Sequence, residues 1–492
     1  MEVTDALVSC EPPILARWSA IYLVQDAIKK AVGVVLPAEQ CATLCGTSNA
    51  ALGAALLLKL VQLQTPSPPT VNLSEDNQEG VSQCEIPEIL SIFSNSAHGA
   101  SFRITYKNAA GRDSNATGTG VHRAIITSAC AAMLKNHNYW HAPSKASGGY
   151  YLPLFLDGEP SVVRTAHWKA YGALIAVSLV YVTSTPVSPF LVMALLAHEK
   201  QLAVTKEIIA LFQPVHATEL APWLDLDPTK AIPTAHTDKA VQFLYALGLQ
   251  PSIVQSSCTN EREFRQRTSI FLSQQLLGYS NLWKNEEFLA LLAGFNQTIG
   301  DTTFVEIFQN HAKTNTEVAQ YIGAMYNRKV KSPDEVIQLL EATDREDDAQ
   351  SVTNVMLDEL FLRRVKRYLQ GCGHPDHPIV RKTVPQEYFR QRRKDPLFRS
   401  RLLLTVMSDS DLLPADPDQR ILFTFAEPDT SIAADAEPLF KVHTCIWNII
   451  VEMRPSVLRL IGKSEPDLHK ATDFDSWFHS SLLSCVQSFN YY

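Results

Sequence analysis

Apolar positions recur at helical spacing over most of this chain and turn to strand-like alternation near its end. After Pro12-Pro13, the positions Ile14, Leu15, Trp18, Ile21, Tyr22 and Ile28 predict a helical segment within 12–63, and Ala50 to Leu63 predicts a second helix. Residues 64–82 are polar and rich in proline, with Pro66, Pro68 and Pro69, and read as a linker. A strand is predicted over 101–107, a Gly/Asn/Asp/Ser loop over 111–120, and a long, mostly helical region over 121–370. The longest apolar run, Ala170 to Val182, is shorter than the roughly 20 residues a membrane span needs, so it reads as a core helix. Two strands follow, Ile421 to Phe425 and Phe440 to Ile446, the second with Phe440, Val442, Thr444 and Ile446 on one face. Phe474 to Phe489 reads as an amphipathic helix. The pattern predicts an α+β chain, a large helical part before a small α/β part, without internal repeats.

Composition narrows the class of function. A length of 492 residues suggests two to four domains. The formal charge of −8 argues against a nucleic-acid-coating protein. Residues 361–401 are locally basic, but Tyr368, Tyr388, Phe389 and Phe398 are too sparse for a base-stacking platform. That stretch reads as a solvated helix face or a contact for an acidic surface. Nine cysteines are too dilute for a disulfide framework, and their odd number leaves one unpaired, which points to a reducing compartment. The acidic start, Met-Glu-Val-Thr-Asp, does not read as a secretory signal, so the expected location is cytoplasm or nucleus. The sequons at Asn72, Asn115 and Asn296 are then chance matches.

Cys372, His374, Asp376 and His377 have metal-ligand side chains but lack a second cysteine pair, so a structural turn is expected rather than a zinc site. Cys41 and Cys45, one helical turn apart, read as core residues. Gly118-Thr119-Gly120 lacks the lysine that completes a phosphate loop. Neither cofactor nor metal is expected.

The triplet His443-Thr444-Cys445 is the remaining candidate for chemistry. A cysteine at a strand end beside polar residues can be accessible, and only its thiolate is a good nucleophile. In an extended strand His443 and Cys445 share a face, which is not protease-dyad geometry. On these three residues alone, a core or edge cysteine is the reading to prefer.

Context changes that weighting. Leu439 to Cys445, Leu-Phe-Lys-Val-His-Thr-Cys, resembles the active-site signature of HECT-type ubiquitin ligases, in which the cysteine of a small C-terminal lobe accepts ubiquitin as a thioester. Val406 to Ser410 with Pro414, and the strand at 421–425, resemble the approach to that signature. Phe288 to Asn296 is similar to the phenylalanine-leucine through glycine-phenylalanine-asparagine run of the family's large lobe. Gly118 to Arg123, His167 to Leu174 with Gly172, Ser188-Pro189-Phe190 through Leu196, and Thr259-Asn260-Glu261 with Phe264 resemble further family segments in the right order. The set covers roughly 101–492. Phe489, fourth from the end, stands where the family often has a phenylalanine that aids transfer, or is simply the last apolar position of the helix.

The resemblance implies a bilobal fold. A helical extension would occupy 1–100, with a linker at 64–86. The N-lobe would span 101–375, with its conjugating-enzyme-binding part near 200–287, and the C-lobe 376–492. It implies a ubiquitin transferase with Cys445 as nucleophile, Thr444 as orienter beside it, and His443 and Phe489 in the site. The implied partners are ubiquitin, a ubiquitin-conjugating enzyme and a protein substrate, with neither nucleic acid nor membrane. Departures are plain. Phe440 replaces a usual proline, Ile446-Trp447 a phenylalanine-asparagine, Asp409 a glycine, Leu412 an arginine, and Ala124 an acidic residue. Residues 200–258 lack a match to the family's strand-rich partner-binding subdomain. These departures motivate the alternative of a catalytically weak HECT-like scaffold.

Overall fold

The computed structural model describes residues 41–46, 49–64, 83–86, 101–106, 119–181, 186–258, 260–296, 298–299, 302–343, 352–408, 410–414, 418–427, 440–444, 446–463 and 470–488. These residues form a mixed α+β chain, mostly helical with small sheets. It divides into two compact units, one of residues 1–114 and 126–327, the other of residues 115–125 and 328–492.

In the first unit, β1 (Cys41–Gly46) pairs parallel with β3 (Ser101–Tyr106), and β2 (Gln83–Ile86) pairs antiparallel with β3. The strand at 101–107 is thus observed. The helical reading of 12–63 fails over 41–46, where cross-strand pairing overrides local periodicity and removes Cys41 and Cys45 from a common helix face. Helix α1 (Asn49–Leu63) follows as expected. The linker residues 65–82 lie outside the described residues.

The centre of this unit is a helix pair, α3 (Val162–Tyr181) against α10 (Glu286–Phe295). Helix α3 contains the apolar run read as a core helix, and residues 170–177 are all buried. Two glycines let the backbones meet. A Cβ on Gly172 would lie 2.0 Å from the Leu291 carbonyl oxygen, and one on Gly294 would lie 1.9 Å from that of Lys169. No side chain fits at either position.

Next to this crossing, Glu287 is fully buried and fully engaged. Its carboxylate accepts from Arg164 Nε, from Arg164 Nη2 at 2.8 Å, from Trp168 Nε1 at 2.8 Å and from the Leu156 N–H at 2.9 Å. Burial pushes this carboxyl up, but the Arg164, Leu156 and Trp168 hydrogen bonds outweigh that and hold it below the usual value. The Arg164 guanidinium also stacks over the Tyr139 ring at 4.4 Å.

Between Lys206 and Leu277 the first unit is helical: α5 (Lys206–Phe212), α6 (Pro214–Leu224), α7 (Lys239–Ala246), α8 (Pro251–Ser256) and α9 (Glu261–Leu277). Trp223 anchors them. It stacks on Phe264 at 4.9 Å, meets Phe271 edge-on at 4.8 Å and donates to Thr268 Oγ1 at 2.9 Å. Among the described residues of 200–258 there is no strand.

The second unit is built on a four-stranded sheet ordered β10-β11-β9-β8. Strands β9 (Ile421–Ala426) and β11 (Asn448–Glu452) run parallel, as do β8 (Leu340–Ala342) and β9, while β10 (Phe440–His443) and β11 form an antiparallel hairpin. Strand β9 alternates buried and half-buried residues along its length, the period of a sheet with one face on the core. That face is covered by α14 (Val352–Leu369), α17 (Phe398–Ser408), α18 (Pro455–Gly462) and α19 (Asp473–Ser488). Phe361 meets Phe425 and Phe474 edge-on, each at 5.3 Å. The main segment of this unit runs from Arg328, and residues 115–125 join it from earlier in the chain. The reason is packing: Val336, Phe361, Val365 and Tyr368 share one apolar core with Phe423, Ile449 and Phe478.

Two buried arginines close helix ends. Arg364 donates to the Ile461 carbonyl at 2.8 Å at the end of α18. Arg399 donates to the Tyr368 carbonyl at 2.9 Å and the Gly373 carbonyl at 2.8 Å, just past the end of α14. Both put cationic donors on carbonyls that a helix end leaves unpaired.

Candidate active-site hairpin

The β10–β11 hairpin carries the His443-Thr444-Cys445 segment. Its register pairs Phe440 with Val451, Lys441 with Ile450, Val442 with Ile449 and His443 with Asn448, so residues 444–447 form the loop. The predicted strand to Ile446 therefore stops at His443. The Ile446 N–H donates to the His443 carbonyl at 3.2 Å, drawing together the two described flanks of the loop. In β10, Phe440 and Val442 are half-buried while Lys441 and His443 face solvent. Thr444 is buried, whereas Ile446, expected on the same face as Phe440 and Val442, is 59% exposed.

Trp447 fixes the far side of the loop. Its φ of 53° lies in the left-handed region, which a bulky residue adopts only when its surroundings compensate. The compensation is visible: the indole is buried in the sheet's core, and the Trp447 carbonyl accepts from the Leu422 N–H at 2.8 Å. Next along β11, Asn448 Oδ1 accepts from Thr424 Oγ1 at 3.1 Å, and Thr424 Oγ1 lies 2.9 Å from Thr343 Oγ1. A polar ladder thus crosses three parallel strands just behind the loop.

Cys445 and Phe489 lie outside the described residues. So do Asp409, Gly118 and Thr259, while α2 (Thr119–Leu134) includes the segment from Thr119 to Arg123. Of the other thiols, Cys130 and Cys485 are pushed up by burial, to about 12 and about 11, the first only partly offset by Ser178 and the second by Ser484. Such thiols hold almost no thiolate at neutral pH. Cys372 is exposed and Cys258 half-buried.

The Cys372–His377 cluster does not converge. His377 lies 3.1 Å from Asp473, Asp376 pairs with Arg381, and His374 turns inward. No group of three potential metal ligands occurs among the described residues. The tight turn follows from Arg399. A Cβ on Gly371 would lie 2.1 Å from its Nη1, and Gly373 has a φ of +51°.

His374 instead enters a buried polar chain that sequence reasoning misses. Its Nδ1 lies 2.9 Å from His479 Nε2, and His479 Nδ1 lies 2.6 Å from Tyr368 Oη. Partners 105 and 111 residues apart leave no local signal.

No family model and no curated protein matches this chain. Among the described residues, no helix is long and apolar enough to cross a membrane.

Proposed function

We propose that this chain is a HECT-type ubiquitin-protein ligase that carries ubiquitin as a thioester on Cys445. The observation that carries the reading is the His443-Thr444-Cys445 signature at the hairpin of a smaller α/β unit, preceded in order along the chain by the family-like segments, most of them in the larger helical unit. In the first step the Cys445 thiolate attacks the carbonyl carbon of the ubiquitin thioester on a conjugating enzyme. A new C–S bond forms, and the enzyme's thiolate leaves. In the second step a deprotonated substrate lysine attacks the Cys445 thioester, an isopeptide bond forms and the Cys445 thiolate is released. Thioester exchange joins leaving groups of similar basicity, so the protein's main task is placement. The tight turn and the buried Trp447 anchor suit that task, because they tie both flanks of residue 445 to the sheet. In this reading the larger unit binds the conjugating enzyme and the smaller one completes a bilobal arrangement.

One observation favours a second reading, a scaffold that binds ubiquitin or a conjugating enzyme without transfer. The segment at 200–258 is helical where the family resemblance leads one to expect a strand-rich partner-binding subdomain. A single assay separates the two. Conjugating enzymes charged with ubiquitin are mixed with the protein, and thiol-sensitive adducts are resolved by non-reducing electrophoresis. The ligase reading expects an adduct one ubiquitin heavier that disappears in Cys445→Ala. A folded protein that pulls down ubiquitin or a conjugating enzyme but forms no adduct across a broad panel establishes the scaffold.

A further inference from the structure

The second unit displays a cationic helical pair most of whose charges its own fold leaves without an ion pair. Helices α15 (Pro378–Thr383) and α16 (Gln386–Arg392), with the turn after them, carry Arg381, Lys382, Arg390, Arg392, Arg393 and Lys394. Against these six cations stand only Glu387 and Asp395 between Pro378 and Asp395, in a chain whose overall charge is −8. Helix α16 contains no buried residue. It is held by Phe389, which stacks on His374 at 5.7 Å and lies under Arg381 at 5.9 Å.

The local carboxylates are already committed. Asp376 pairs with Arg381, and Asp395 takes two bonds from Arg401 Nη2, at 2.6 and 2.7 Å, with Arg392 farther off at 3.6 Å. Among the described residues, Lys382, Arg390 and Lys394 pair with no carboxylate, and Arg393 bears on Asp376 only from beyond ion-pair distance. Two apolar side chains sit exposed in the same segment, Ile379 at 55% and Tyr388 at 51%.

We infer that this surface docks an acidic segment of a partner polypeptide. Four of the six cations are arginines, whose planar forks match carboxylates, and the exposed Ile379 and Tyr388 offer a peptide apolar contacts among the charges. Single-stranded RNA fits less well: Phe389 is turned onto His374, leaving Tyr388 as the one exposed aromatic of α16 and no run of stacking faces. An anionic membrane fits less well too, since two isolated apolar residues do not make the continuous apolar face that an interfacial helix buries.

The test uses the full chain and a fluorescein-labelled peptide of alternating Glu and Gly, read by anisotropy at low and raised salt. The expected result is saturable binding that weakens as salt rises. Arg390→Gln/Arg393→Gln/Lys394→Gln lowers affinity about tenfold, because three exposed charge contacts are lost. Lys200→Gln/Lys239→Gln/Lys284→Gln, which removes the same charge from the other unit, leaves affinity unchanged. Circular dichroism checks folding, and Arg390→Gln alone replaces the triple variant if that variant unfolds. Absence of binding, equal losses in both triple variants, or tighter binding to oligouridine or to phosphatidylserine-containing vesicles than to the peptide overturns the inference.

Discussion

Mild acid should loosen the terminal helix of the second unit before the rest of that unit. The perturbation is protonation of the buried chain Tyr368–His479–His374. Burial lowers His374 from the usual 6.5 to about 4, with the Arg399 and Arg392 guanidinium groups adding to the effect. His479 is lowered further by burial, by His374 and by Arg399. The remaining charged side chains bearing on the chain are Asp475, close to Tyr368 and Arg399, and Arg367, close to Arg399. In the folded state both rings are neutral at pH 7. The unfolded chain takes up protons near pH 6.5 and the folded one only near pH 4. Stability from this group is therefore complete above pH 6.5, falls as the pH drops from there, and levels off below about pH 4.

For His374 alone, the loss is about 2 kcal/mol by roughly pH 5 and about 3 kcal/mol in full. The readout is hydrogen exchange of the α19 amides, corrected for the intrinsic pH dependence of exchange. About 2 kcal/mol corresponds to roughly a 30-fold loss of protection between about pH 7.5 and pH 5. The variant His374→Gln keeps a hydrogen-bonding group but cannot titrate at that position, so its protection should fall about 30-fold less than that of wild type, the share due to buried His479 remaining. If wild type and His374→Gln lose protection in parallel, or if NMR finds His374 titrating near 6.5, the reasoning is refuted.

Three further outcomes follow from packing. Gly172→Ala places a Cβ about where the Leu291 carbonyl now sits, so α3 and α10 must separate; thermal unfolding should show a loss of about 3 kcal/mol. Glu287→Gln leaves Arg164 without its buried counter-charge and should cost about 3 kcal/mol by denaturant titration, whereas a result within 0.5 kcal/mol, about the scatter of surface changes, would mean that the pair is not buried as described. Trp447→Gly relieves about 1 kcal/mol of left-handed backbone but forfeits about 3 kcal/mol of burial, a net destabilisation of about 2 kcal/mol measurable by the same titration.

What was legible in the sequence was what repeats locally. The β-type run of Ile421 to Phe425 and the amphipathic spacing from Phe474 match β9 and α19 closely, because each buries one continuous face. Strand β11 went unread because Asn448–Glu452, Asn-Ile-Ile-Val-Glu, is a short apolar run without alternation. The end of β10 was misjudged for a related reason. Thr444-Cys445-Ile446-Trp447 contains none of the glycine, asparagine or proline that ordinarily marks a turn, and its left-handed position is filled by a tryptophan. The packing of residues 328–375 into the second unit leaves no local pattern because it depends on distant partners, such as Phe361 meeting Phe425 and Arg364 reaching the Ile461 carbonyl. Of the candidate site, the residue types and their order were readable; Gly172 and Gly294 stood only within segments that resemble the family, and the helix crossing that requires them leaves no local pattern.

The departure at Ile446-Trp447 bears on both readings of the protein in a way the hairpin makes concrete. Where the HECT signature has asparagine, a left-handed backbone is tolerated by the side chain itself. Trp447 adopts the same region and is compensated from outside, by burial of its indole and by the Leu422 N–H on its carbonyl. The substitution thus exchanges a local solution for a tertiary one and leaves the turn closed by Ile446 and His443. It is therefore a weak argument for lost activity. The helical make-up of 200–258 is the stronger one, because a partner surface cannot be restored by repacking a single side chain. On the proposed reading, the choice between ligase and scaffold then turns on the larger unit's helical surface more than on the loop. The assay should accordingly be run across many conjugating enzymes before any defect is assigned to residues 445–447.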